Sequence, residues 1–210
     1  MVEVLQASQL TLYDVEAKFG LQPETNPDFF PEWQTAPIAL SDYQRQVLDQ
    51  AQASCRYLMK YLVQEALIKL VIVSPLLSVA GFYQKPFCTV AEQPTKVAVE
   101  DEDEIIRGRI DVLVVNEQLW VAVIEAKGSH FSWSVGLPQT LTYMTSGRQR
   151  QERFGLITNG SNFMFVKLQE TGRYRFSKEF SLYNPGNDLY AVVSVLKSIS
   201  QQTLQGNDPI

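Results

Sequence analysis

From Ser41 to about Val73 the chain has no Pro or Gly, and apolar residues recur at Tyr43, Val47, Ala51, Cys55, Leu58 and Leu62 in steps of three and four. That spacing gathers them on one stripe and predicts a single long amphipathic helix with Ser41 as its N-cap. After Pro75, β-branched and aromatic residues around Val79 to Val90 predict a strand, with the polar segment Glu92 to Lys96 as its turn or edge. Two apolar runs follow, Ile110 to Val115 and Leu119 to Ala126, separated by Asn116, Glu117 and Gln118. They predict an antiparallel hairpin of central strands. Ser132 to Gly147 reads as a helix that tolerates Pro138 only in its first turn. Phe154 to Thr158 and Phe163 to Leu168 read as two more strands joined through Asn159 and Gly160, residues suited to positive φ. Leu189 to Ile199 closes as a C-terminal helix. Helix, three strands, helix and further strand make a mixed α/β order, not a strict βαβ alternation.

Ahead of the first helix, four prolines between Pro23 and Pro37 punctuate Phe29, Phe30 and Trp33, which disfavours helix and suggests a docked connector. The chain of 210 residues, 45% hydrophobic, is read as one domain over 41–210 with an extension, 1–40, packed on its core. Lys69, Pro75 and Gly81 interrupt the most apolar stretch, Ala66 to Phe82, so no membrane span is expected. Charges in Met1 to Gly20 leave no signal-peptide core, and two cysteines are too few for a disulfide framework; a cytoplasmic protein is expected. No GxxxxGK[ST] loop occurs, so no ATP-driven motor is expected. Net charge is -5, but it is unevenly spread: residues 1–104 hold seven Lys or Arg and fifteen Asp or Glu, whereas 105–180 hold ten and six. Glu100 to Glu104 is a run of five acids and reads as a solvated loop.

Candidate chemistry lies in the predicted hairpin. Asp111, Glu125 and Lys127 are each flanked by Val, Ile, Leu or Ala, where a charged side chain costs several kcal/mol unless paired or metal-bound. Side chains alternate along a strand, so Glu125 and Lys127 share a face. A three-residue connection would set Val115 opposite Leu119 and Asp111 opposite Val123, making Asp111 a diagonal same-face neighbour of Glu125 within about 7 Å. A two-residue connection would turn Asp111 to the other face. Two converging carboxylates suit a hard divalent cation such as Mg2+, with Mn2+ as a substitute, and such an ion supports phosphodiester hydrolysis. Lys127 would hold the attacking water or steady the developing negative charge.

Gly108-Arg109-Ile110-Asp111, then Ile124-Glu125-Ala126-Lys127, then Gln139-x-x-x-Tyr143 resemble the PD-(D/E)XK nuclease superfamily. More narrowly they resemble the N-terminal nuclease domain of type I restriction enzyme R subunits and related stand-alone proteins. The resemblance covers roughly residues 41–170 and includes the turn Thr158-Asn159-Gly160. It implies a restriction-endonuclease-like αβββαβ core, here with an N-terminal helical extension and a C-terminal helix. It implies Asp111, Glu125 and the carbonyl of Ala126 as metal ligands, Lys127 as the catalytic lysine, and Glu65, late in the long helix, as a helix acid completing the site. Gln139 and Tyr143 would lie beside the active site and touch DNA. Ile110 stands where the superfamily's name has Pro.

Arg107, Arg109, Arg148, Arg150, Arg153, Lys167, Arg173 and Arg175 could line a groove for DNA phosphates, with Arg109, Arg148 and Arg150 the leading DNA contacts. The bland readings are a Glu65–Lys69 surface pair, a core Tyr143, a first-turn Gln139 and a bystander His130. The expected function is a Mg2+-dependent DNA endonuclease of restriction type, with a homodimer and restriction-modification subunits as further partners. The rival is a nuclease-like module that binds nucleic acid or protein without cutting, and a nuclease acting on RNA or single strands is a third reading.

Overall fold

The computed structural model describes residues 3–34, 38–99, 104–116, 119–146 and 152–205, with positions 3, 119–125 and 205 described by their backbone only. The chain opens with β1 (Glu3–Gln6), α1 (Leu12–Phe19) and β2 (Gln22–Pro23), followed by two 3-10 turns over Pro27–Phe29 and Pro31–Trp33. A capping box between Thr11 and Asp14 starts α1, and Gly20, at φ 63°, ends it. The extension is therefore helical only in part, and its two strands escaped the sequence reading because each is too short for an alternating pattern to register.

Helix α2 (Asp42–Leu58) begins as expected, with Ser41 and Gln44 forming a capping box. It does not run on to Val73. The chain breaks after Leu58 and restarts as α3 (Glu65–Ile68), which passes through a π-helical stretch, Lys69–Val73, into α4 (Ser74–Ala80). Pro75 comes directly after the π-helical stretch, inside a run that stays helical through Ala80, so it does not open a strand. The strand β3 (Phe87–Ala98) comes later than expected, spans Glu92 to Lys96 and pairs Gln93 to Lys96 with β4.

Strands β3, β4 (Glu104–Asn116) and β5 (Leu119–Ala126) form an antiparallel trio. Helix α5 (Leu137–Thr145) then crosses to β6 (Arg153–Thr158), which pairs parallel with β5. Strands β7 (Asn162–Leu168), β8 (Arg173–Phe176) and β9 (Phe180–Ser181) follow, and α6 (Leu189–Gln205) closes the chain. The order helix, three strands, helix, strand is thus present in a mixed α+β fold, with β1 and β2 added to the sheet by parallel pairing on β4 and β8. One face of the sheet packs on α2, α4 and α6 through residues such as Leu48, Leu76, Val114, Phe165 and Leu196. The other packs on α1 and α5 through Val15, Ile110, Leu141, Ile157 and Tyr174.

The hairpin register differs from expectation. Asn116 pairs with Leu119, so only positions 117 and 118 connect the strands, and the loop is the two-residue length that hairpins favour. A bulge then follows: Val115 pairs with Trp120 but Val114 with Ala122, leaving Val121 as an extra residue on β5. The bulge shifts the backbone register by one residue beyond what the two-residue turn alone would give. With Val112 opposite Ile124, one further step brings position 125 level with Asp111, where a diagonal arrangement was expected.

Candidate active site

The edges of β4 explain where the site lies. Strand β3 covers one edge of β4 over most of its length, so β1, paired to Glu104–Arg107, and β5, paired from Val112 onward, must share the other. They leave Gly108 to Asp111 uncovered between them. At this gap an open cleft of about 510 Å³ is lined by Gln6, Glu65, Glu92, Arg109, Asp111 and Lys127, among others.

Asp111 is buried, and both its carboxylate oxygens are engaged. Oδ2 accepts from the backbone N–H of Ala126 at 2.8 Å, which ties β4 to the end of β5. Oδ1 accepts from Lys69 Nζ at 3.2 Å. Since N–H and C=O of one residue leave a strand on the same edge, the Ala126 carbonyl also faces the Asp111 side. The Glu125 side chain lies outside the described residues.

Glu65 opens α3 instead of lying late in a long helix. Burial pushes its carboxyl above the ordinary range, and the neighbouring Asp111 carboxylate pushes it further, more than Lys69 and Lys127 offset. Glu65 does pair with Lys69 at i,i+4, at 3.5 Å, so the bland contact exists, made by a glutamate that lines the cleft.

Lys127 follows β5 directly; its backbone N–H donates to the Thr158 carbonyl at 2.7 Å. Its ammonium donates to Gln139 Oε1 at 3.0 Å, Gln139 Nε2 donates to the Tyr143 hydroxyl at 2.8 Å, and that hydroxyl accepts from the backbone N–H of Arg109 at 3.1 Å. Gln139 and Tyr143 share one side of α5, as four-residue spacing requires, and both are buried. This hydrogen-bonded chain runs from Lys127 to the uncovered stretch of β4.

Two charged residues join the site that sequence reasoning did not assign to it. Lys69 contacts Asp111, Glu65 and Glu92 together, and burial, which lowers its pKa, is outweighed by the hydrogen bonds and charges of Glu92 and Asp111, so the ammonium is stabilised. Glu92 stands opposite Asp111 between the Ala91–Val112 and Gln93–Ile110 pairs, and its φ of 54° is the only positive value outside glycine among the described residues. Lys69 had left a signal, a lone cation inside an apolar run; Glu92, in a polar segment, had left none. Gln6 and Ser8 from the extension also line the cleft.

Among the described residues, the cations expected along a groove fall into two groups. Arg107 and Arg109 do line the cleft. Lys167 and Arg153 are buried: Lys167 pairs with Glu32 and Glu152, and Arg153 donates to the carbonyls of Met144 and Ser146. Arg173 pairs with Glu24, and Arg175 donates to the Glu24 carbonyl. Arg148 and Arg150 lie outside the described residues, as do Glu100 to Asp103 of the acidic run. Cys55, buried and pushed up to about 12, and Cys88, exposed, are both free thiols.

Asp111 and Glu65 are hard oxygen donors suited to magnesium or manganese. Among the described residues no three side chains of His, Cys, Asp or Glu converge closely enough to hold a metal by themselves. The donors fit such an ion in type.

No known family description matches the chain, and no curated protein matches it. Among solved structures, it is similar to a fragment described as an HsdR subunit of a type I restriction enzyme from Vibrio vulnificus YJ016, at 20% identity and a TM-score of 0.40. The match covers 64% of this chain and 26% of that one. Among the described residues no helix is long and apolar enough to cross a membrane.

Proposed function

We propose that the chain is a divalent-metal-dependent endonuclease of restriction type that hydrolyses DNA phosphodiesters in the cleft beside Gly108 to Asp111. The observation that carries this reading is the meeting of Asp111, Glu65 and Lys127 in one cleft, with position 125 level with Asp111 in the strand register. The sequence resemblance of the same segments to PD-(D/E)XK nucleases supports it.

In this reading Asp111, Glu125, Glu65 and the Ala126 carbonyl hold Mg2+ or Mn2+. The bound ion supplies charge neutralisation at the scissile phosphate and a water acidic enough to attack at neutral pH. Asp111 is oriented for this by the Ala126 N–H. Lys127, aimed by Gln139, orients the attacking water or stabilises the charge that grows on the phosphoryl oxygens. Arg107 and Arg109 at the cleft receive flanking phosphates, so DNA binding weakens with salt. Bond breaking is hydrolytic: water oxygen joins phosphorus, the sugar oxygen leaves and takes a proton.

The test is cleavage of supercoiled plasmid in Mg2+ or Mn2+ by the wild type, Asp111→Asn and Lys127→Ala, with single-stranded DNA and RNA as competitors. Cleavage lost in both folded variants supports the reading. Equal cleavage in the variants, or DNA binding without cutting by the wild type, overturns it, and the second outcome selects the non-cleaving module.

A further inference from the structure

Lys69 is the site's least expected member. It emerges from the π-helical stretch after α3, and its ammonium lies 3.2 Å from Asp111 Oδ1 and 3.5 Å from Glu65 Oε1 while also bonding Glu92. Asp111 and Glu65 meet at one ammonium, and two like charges placed that near each other in a half-buried site repel. A cation between them is what lets them stay together. Lys69 supplies one, and it occupies Asp111 Oδ1, one of the two lone-pair sets a metal would use.

Its third partner differs from the other two. Glu92 is about half exposed and stands on β3 at the outer side of the trio, with Arg109 Nη1 at 3.7 Å from its other oxygen. A lysine on its four-carbon stem can therefore release Asp111 and Glu65 while keeping Glu92.

We infer that Lys69 is a positioning residue that serves as a tethered stand-in for the metal: its ammonium holds Asp111 and Glu65 together in the metal-free protein and withdraws onto Glu92 when a divalent cation enters. The inference rests on the metal-site reading of Asp111 and Glu65. It makes metal affinity the outcome of a competition, so the protein binds cations more weakly than its carboxylates would allow and is kept assembled without them.

Calcium and manganese binding to the full chain, followed by calorimetry, tests it in wild type, Lys69→Met, Lys69→Gln and Arg107→Met. Removing the competing charge is expected to tighten binding roughly tenfold or more in both Lys69 variants, while their metal-free melting temperature falls. Arg107→Met, which removes a cleft charge that does not touch Asp111, is expected to change affinity less than about threefold. Binding by a Lys69 variant where the wild type shows none also supports the inference. Unchanged or weaker binding in the Lys69 variants, or an equal gain in Arg107→Met, overturns it while leaving the metal site standing. No binding by any of the proteins overturns both readings.

Discussion

Lys127 has its aim set by a neighbour with no charge. Gln139 accepts from the ammonium and donates to Tyr143, so it reads the position of both. Gln139→Leu keeps the volume and removes both bonds. It is expected to lower the cleavage rate by about 10²-fold through misplacement of the amine, with little change in KM for DNA, as single-turnover and steady-state kinetics on one substrate would register. Glu65 gives a pH signature. Its folded pKa is raised above the ordinary 4.5 by burial and by Asp111, so the folded state holds its proton longer than the unfolded chain. That contribution favours folding below about 4.5 and is lost as pH rises through the folded pKa. Glu65→Gln is therefore expected to raise the metal-free melting temperature at pH 7 relative to wild type and to lose that advantage at pH 4, in paired thermal melts. An advantage that grows toward acid would contradict the assignment.

At the scale of elements, the approach of α5 to β4 depends on Gly108. A Cβ there would come within 2.5 Å of the Tyr143 hydroxyl and 2.6 Å of its ring, so the buried Tyr143 would have to shift. Gly108→Ala is expected to cost about 1–3 kcal/mol, read by urea denaturation, and to break the hydroxyl's bond to the Arg109 N–H. Such a dependence between elements explains what was legible beforehand. The strands around Asp111, Glu125 and Lys127, the α5 segment with its early proline and the Asn159-Gly160 turn, with Gly160 at φ 87°, announced themselves because period and turn chemistry are local properties. The break after Leu58, the bulge at Val121 and the fate of Lys167 did not. Nothing in the helical periodicity marks Leu58 as an end, a bulge is one residue that no alternation pattern can count, and a lysine's partner 135 positions away is set by tertiary packing. The expected hairpin register differed in two places: the connection is one residue shorter and β5 carries one extra residue at the bulge.

The whole molecule is closed by its first 34 residues. Strand β1 extends the β4 edge, β2 extends β8, and Phe30 is fully buried against Phe154 in the core under α6. Next to Phe30, Glu32 reaches the buried ammonium of Lys167 on β7 at 2.7 Å; Glu152 meets the same ammonium at 2.9 Å, and the rings of Phe29, Phe30 and Phe154 lie within 5.6 to 6.0 Å of it. A charge so enclosed is tolerable only while its counter-charges are in place. Glu32→Ala removes the more buried of the two and leaves Glu152 alone to balance the lysine among the rings, for an expected loss of about 1–3 kcal/mol. Lys167→Met keeps the stem's packing and removes the ammonium that Glu32 and Glu152 share. The double variant removes the cation and one acid together, so its loss is expected to be smaller than the sum of the single losses. Chemical denaturation of the four proteins measures this directly. Additive losses would mean that Glu32 and Lys167 act separately, and the segment before α2 would then be held by its aromatic residues and strands alone.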